Sequence, residues 1–285
     1  MQQNSALIAL GLTLALSLTA CAGEAGELEV LRGENEALRR QITALTEERN
    51  APVPSSMPSP VANPNPAFLS LAPMTEENAG ARQAFAAALE QVVREQIMPD
   101  GSDCSGDGYP SMENNQFAVC DVDGDGEEEL ILLYTTASTA GHRGFVCSWE
   151  EATGALDIQL DAYPLFTFYE SGAVQVGWSH NQGKGGAFWP YDLYRYDSFL
   201  DTYVNVGAVD AWDESLPVEG YPSEVDQSES GFVYYIETDG YFDWEDPLDA
   251  AVYEAWRYPY VRNGREVQPE YLSLTEENIQ RILAF

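Results

Sequence analysis

The chain has 285 residues, with 47 Asp and Glu against 13 Lys and Arg and a formal net charge of −34. Phosphate backbones are held by Lys and Arg that displace counterions, so this balance excludes a general nucleic-acid binder and argues against charge-driven adhesion to an anionic bilayer. Lys184 is the only lysine, and from residue 74 onward 40 acidic side chains face 9 basic ones, a local balance of −31 that divalent cations would relieve.

Residues 1–20 read as a signal peptide. Ala6 to Ala20 is almost wholly apolar, which suits a signal core and is shorter than the roughly 18–20 residues of a spanning helix. Met1 to Ser5 carry no Lys or Arg, so either the start lies upstream or the amino terminus alone supplies the usual positive charge. The run ends in Leu18-Thr19-Ala20-Cys21, which resembles the lipobox of bacterial lipoproteins. That resemblance implies cleavage before Cys21, a lipid on its thiol and an anchor on the extracellular face of the cell membrane.

Residues 21–50 are expected to form a stalk with a short coiled coil. Leu28, Asn35 and Ile42 fall at heptad position a, Leu31, Leu38 and Leu45 at d, and Glu27 and Glu34 at g face Arg32 and Arg39 at e. This pattern fits a parallel homodimer through residues 27–48, with Asn35 fixing the register. A single solvated spacer helix is the alternative, because three heptads are marginal alone. Residues 51–73 hold many prolines and read as an extended linker, leaving a globular domain over 74–285.

The body opens with a helix from an N-cap at Thr75 to near Met98, its face marked by Phe85, Leu89, Val92 and Val93. After Pro99 the pattern turns to strands: 117–120, 130–134, 145–149, 156–160, 166–169, 174–178, 191–196, 203–209 and 232–236. Most are short, rich in β-formers and separated by Gly, Asp or Ser. Residues 150–154 and 197–201 read as hairpin loops. Helix returns over 248–256 and after Ser273, which pairs with Glu276 as a capping box. The expected class is α+β, a mostly antiparallel β-sheet with a helix at each end. Cys104, Cys120 and Cys147 remain after lipidation, enough for one disulfide whose pairing stays open.

The sharpest motif is Asp121-Val122-Asp123-Gly124-Asp125-Gly126-Glu127-Glu128-Glu129-Leu130. Carboxylates of Asp121, Asp123, Asp125 and Glu129 stand at loop positions 1, 3, 5 and 9, with the Glu127 carbonyl at 7 and Gly126 free to take a positive φ. Such a set suits calcium, which accepts six to eight hard oxygens in loose geometry. Position 12 is Leu132 inside a strand-like run, so the element is a hairpin loop and not an EF-hand. It resembles the Asp-x-Asp-x-Asp-Gly-x-x-Asp/Glu-Leu element of FG-GAP and VCBS-type repeats, over residues 117–134 only. Those repeats build β-propellers, whereas one good copy here implies none. Residues 103–111 echo the spacing as a possible second calcium loop, and 226–231 echo it with ligands too poor for more than a turn.

Residues 177–189 gather His180, Lys184, Trp178 and Trp189 around glycines. They read either as a grip for a glycan or peptide or as a loop whose tryptophans pack at the core edge. The flanking strands are similar to those of uncharacterised lipoproteins of Gram-positive gut bacteria. No Gly-x-Ser-x-Gly, His-Glu-x-x-His or phosphate loop occurs, so the chain is read as a non-enzyme. The expected function is a lipid-anchored, calcium-stabilised binding or structural module of the cell surface. The rival is a surface hydrolase acting on carbohydrate through paired carboxylates.

Overall fold

The computed structural model describes residues 65–107, 111–181, 184–238, 242, 244–262 and 264–284. The expected signal peptide, Cys21, the heptads of 27–48 and residues 51–64 of the expected linker lie outside these, as do 108–110 of the second acidic loop.

Among the described residues, two β-sheets and three α-helices make an α+β body, as expected. The five-stranded sheet contains β2 (Gln116–Cys120), β3 (Glu129–Tyr134), β4 (Arg143–Glu150) and β5 (Ala155–Ala162), all antiparallel, with β13 (Leu272–Ser273) on the β2 edge. The eight-stranded sheet joins β1 (Ala67–Leu69), β6 (Phe166–Tyr169), β7 (Ala173–Gly177), β8 (Tyr191–Asp197), β9 (Thr202–Asp213), β10 (Phe232–Glu237), β11 (Leu248–Asp249) and β12 (Glu266–Pro269). Its order is β1-β12-β6-β7-β8-β9-β10-β11. The helices are α1 (Ala79–Glu95), α2 (Ala250–Val261) and α3 (Glu276–Arg281). Among the described residues no helix is long and apolar enough to cross a membrane.

Side-chain alternation dictates the layering. In β3, Leu130 and Leu132 join Phe117, Val119 and Phe145 in a core with Phe85 and Leu89 of α1 and Ile279 of α3. Ile131, one residue out of phase, joins Ala118 and Val146 in a second core, against Val174 and Val176 of the other sheet. The five-stranded sheet is therefore buried on both faces. That is why residues 130–134 read as an unbroken apolar run instead of an alternating one. Tyr253 and Val261 of α2 cover the far face of the eight-stranded sheet with Tyr191, Leu193 and Val209.

Several boundaries differ from expectation, among them the helix expected over 248–256, which runs Ala250–Val261 after Leu248–Asp249 pairs as a strand, and the strand expected over 203–209, which runs Thr202–Asp213. The linker ends earlier than residue 73, because Ala67-Phe68-Leu69 adds as an edge strand parallel to β12. Proline is tolerated beside such an edge, so the prolines at 66 and 73 bracket the strand without breaking it. The first helix starts at Ala79 after a reciprocal pair, Thr75 N–H to Asn78 Oδ1 and Asn78 N–H to Thr75 Oγ1. It stops at Glu95, where Gln96 turns left-handed at φ 60°. The last helix is capped by Thr75's counterpart two residues beyond Ser273: the Thr275 hydroxyl accepts from Asn278 N–H at 3.2 Å, while Ser273 pairs with Gln116 in the sheet. Cys104, Cys120 and Cys147 are buried and form no disulfide. Cys120 and Cys147 lie in different cores on opposite faces of one sheet, which keeps those two apart.

Candidate metal centre

The 121–129 loop is the hairpin connection between β2 and β3, with Cys120 directly opposite Glu129 in the register. Opposed residues share a face, so Glu129 projects with Cys120 toward the space between the sheets. The loop is wound by its own acids. Gly124 N–H and Gly126 N–H donate to the two oxygens of Asp121 at 2.8 and 3.1 Å, Asp125 N–H to Asp123 Oδ1 at 3.1 Å, and Glu127 N–H to Asp125 Oδ1 at 2.8 Å. Val122 N–H closes the circle onto Glu129 Oε2 at 2.8 Å. Gly126 takes a positive φ of 99°, and Gly124 does the same at 85°.

This winding brings carboxylate oxygens of Asp121, Asp123 and Glu129 within 4.8 Å of one another, a group that could hold a metal ion. Asp125 is turned elsewhere: its Oδ2 accepts from the Tyr196 hydroxyl at 2.9 Å, and the Glu127 side chain is exposed. Two of the converging acids are buried, Asp123 at 7% and Glu129 at 1% exposure. Asp123 Oδ2 has no hydrogen-bond partner. A buried carboxylate oxygen left unpaired is costly, by about 1–3 kcal/mol or more, and a cation is the partner that such an oxygen lacks.

The electrostatics agree. Burial, then the charge of Asp125, pushes the Asp123 carboxyl up to about 7. Burial, then Asp123, pushes Glu129 up to about 10. Without a counter-ion the chain must protonate these acids to keep them inside. The group contains neither histidine nor cysteine. Cys120 stands beside it, but burial and then Glu129 raise its thiol and withhold the thiolate a softer metal would want.

Much of the support comes from residues the loop sequence does not reveal. From the eight-stranded sheet, the Tyr196 hydroxyl bridges Asp125 to Asp201 Oδ1, at 2.7 Å from the latter. Gln159 Nε2 donates to the same Asp201 oxygen at 2.7 Å. The Tyr203 hydroxyl is buried without a partner, and burial followed by Asp123 and Glu129 raises its pKa. Gly172, in the β6–β7 turn, allows the loop to lie close: a Cβ there would meet the Asp123 carbonyl oxygen at 2.8 Å. From the helical side, Arg82 is wholly buried. Its Nε donates to Glu128 Oε2 at 2.6 Å and its Nη2 to Glu128 Oε1 at 2.5 Å, with further bonds to the carbonyls of Ala72 and Ile282. The centre thus sits where both sheets and α1 meet.

The other motifs settle differently. In the described part of 103–111, Asp103 Oδ1 accepts from Ser105 N–H at 2.8 Å, and no metal-binding group forms there among the described residues. The aromatic loop is tied down. Phe188 packs edge-on against Tyr234 and Tyr253, Trp189 Nε1 donates to the Trp178 carbonyl at 2.7 Å, and Lys184 Nζ lies 4.0 Å from the Trp212 ring centre. Comparison with protein-family models, curated proteins and solved structures finds no match to the chain, so function rests on the residues themselves.

Proposed function

We propose that this chain is a lipid-anchored, calcium-stabilised module on the extracellular face of the cell membrane, with a binding or structural role. The observation that carries the calcium reading is the unpartnered, buried Asp123 Oδ2 beside Asp121 and Glu129. All the converging ligands are hard oxygens, and a loop of glycines and Asx turns adapts to a large ion more readily than to the strict octahedron of magnesium. The Glu127 carbonyl, and Asp125 once its carboxylate leaves the Tyr196 hydroxyl, would complete the shell. An ion there would join β2–β3 to the underlying sheet, so its binding free energy would appear as stability of the body. At free calcium about a hundredfold above Kd, linkage gives about 2.7 kcal/mol, or about 5–10 °C for a body of this size. Thermal melting of the full chain in EDTA and in millimolar calcium tests this. An unmoved midpoint in protein stripped of metal contradicts it.

The anchor reading is supported by the apolar run ending at Leu18-Thr19-Ala20-Cys21. Replacement Cys21→Ser is expected to move the protein from the membrane to the soluble fraction of cells. A variant that pellets like the native chain removes the lipid from the account. The heptads of 27–48 add a proposed parallel homodimer, favoured further by co-anchoring in one membrane.

A further inference from the structure

A cleft of about 380 Å³ opens between the end of edge strand β5 and the face of β7 and β8. Three aromatic side chains (Tyr163, Trp178 and Tyr194) line it with Asp161, Asp192 and His180. Its walls are held in place before any ligand arrives. Trp178 Nε1 donates to Asp192 Oδ2 at 3.1 Å, and the Trp178 ring meets Phe242 edge-on at 5.5 Å. Behind it, a Cβ at Gly177 would run into Leu165 Cδ2 at 2.4 Å, so the turn is packed from below. Tyr163 stacks on His142 at 5.8 Å, with its hydroxyl 3.3 Å from His142 Nδ1.

The lining selects a chemistry. Half-buried aromatic rings ask for a ligand with an apolar face, whereas carboxylates at the same site ask for hydroxyl or N–H donors. Arg143 pairs with Asp161 and also holds Asp100 at 2.8 Å, so one guanidinium is shared by two carboxylates and the Asp161 charge is balanced only in part. Asp192 has no ion-pair partner among the described residues, and it stands in register with Val176 on one side and Ala208 on the other. Two aspartates placed this way, one held by a guanidinium and one by an indole N–H, are oriented acceptors between aromatic rings, which suits a polyhydroxyl ligand with an apolar ring face. The volume lies near the lower end for small-molecule sites, which suits one or two sugar rings.

We propose that this cleft binds a neutral pyranose-based glycan, with a ring face on Trp178 and hydroxyls donating to Asp192. The proposal rests on the binding role offered above and gives it a ligand class. The test is a printed array of neutral gluco-, manno-, xylo- and N-acetylglucosamine oligosaccharides, probed with the purified full chain in millimolar calcium and followed by titration calorimetry of the hits. At least one class is expected to bind. Asp192→Asn, which keeps the shape of the side chain, and Trp178→Ala are each expected to weaken Kd at least about tenfold. Phe199→Ala, at a turn tip 93% exposed, should leave it unchanged. If Trp178→Ala does not fold, Trp178→Phe and Tyr163→Ala take its place. A blank array, or hits indifferent to these substitutions, overturns the cleft; a calcium-dependent rise in melting temperature in the same preparation then leaves the stabilised module standing. Release of shorter sugars from a hit, lost in Asp192→Asn, keeps the cleft and the ligand class but replaces the binding role with a surface hydrolase.

Discussion

Two acidic turns of this protein, 121–129 and 226–231, share an oxygen-rich spacing and differ in how their carboxylates are satisfied. At Asp226, Oδ1 accepts from Ser230 N–H at 2.9 Å, and Oδ2 accepts from Gly231 N–H at 2.8 Å and from the Tyr221 hydroxyl at 3.1 Å. Desolvation alone would raise that carboxyl, but the N–H groups of Ser230 and Gly231, with the Ser230 and Tyr221 hydroxyls, together hold it below its usual range. Every oxygen is used, and the turn needs no ion. Asp121, at the matching position, is satisfied in the same way by Gly124 N–H and Gly126 N–H; Asp123, which stands where the other turn has Ser228, uses one oxygen and buries the other without a partner. The spacing is common to both; the acids at the third and fifth positions, replaced by Ser228 and Ser230, and the floor are not. Beneath 121–129 lie Gly172, in a turn of the second sheet, and Tyr196 and Tyr203 of its strands, which help to bury Asp123 and Glu129. A metal site is thus decided as much by what covers the loop as by the loop itself.

The bracing of the first turn is the strongest place to break this comparison. Arg82→Ala leaves Glu128 with the Asn78 amide and no cation, and because Glu128 is part-buried the loss is expected near the lower end of the range, about 3–5 kcal/mol, that breaking a buried pair costs. Chemical denaturation of the full chain should register that loss whether or not calcium is present. A change below about 1 kcal/mol would mean that α1 does not support the loop.

A smaller effect separates the turns by pH. In metal-free protein, Asp123 and Glu129 are raised to about 7 and about 10, against about 4 in the unfolded chain. The folded state therefore holds protons that the unfolded state releases. Stability from this source is full below about pH 4 and falls as pH rises through 7 toward 10. In EDTA the melting temperature is expected to be higher at pH 5 than at pH 8, with a shallower slope in Glu129→Gln. With metal bound the two acids are held ionised, and affinity should rise with pH through 7. Equal slopes for native chain and Glu129→Gln would remove the buried acid from the account.

The nine longer strands were legible because each is an apolar run bounded by turn residues, and period alone assigns them. The missed strands are short: β1, β11 and β13 lie at sheet edges, and β12 lies between β1 and β6. In Glu266-Val267-Gln268-Pro269 only Val267 is buried, so no local pattern marks it, and its pairing with residues 67–69 spans most of the chain. Residues 67–69 were obscured by flanking prolines that suit an edge strand as well as a linker. At the site, Asp121, Asp123 and Glu129 were readable from spacing, since the loop closes on itself. Arg82, Gly172, Tyr196, Asp201 and Tyr203 were not, because tertiary packing alone brings them there. A hint existed in Glu128, an acid between a ligand and a core strand that a solvated loop would not require.

The central claim is that one buried carboxylate oxygen, on Asp123, creates a calcium site that the matching turn at Asp226 lacks. Equilibrium dialysis of the full chain against calcium, with bound metal counted by elemental analysis, tests it most directly. The expected result is one calcium per chain in the native protein and in Asp226→Asn, and none in Asp123→Asn. Calcium bound equally by Asp123→Asn, or absent from the native chain at millimolar concentration, would contradict it.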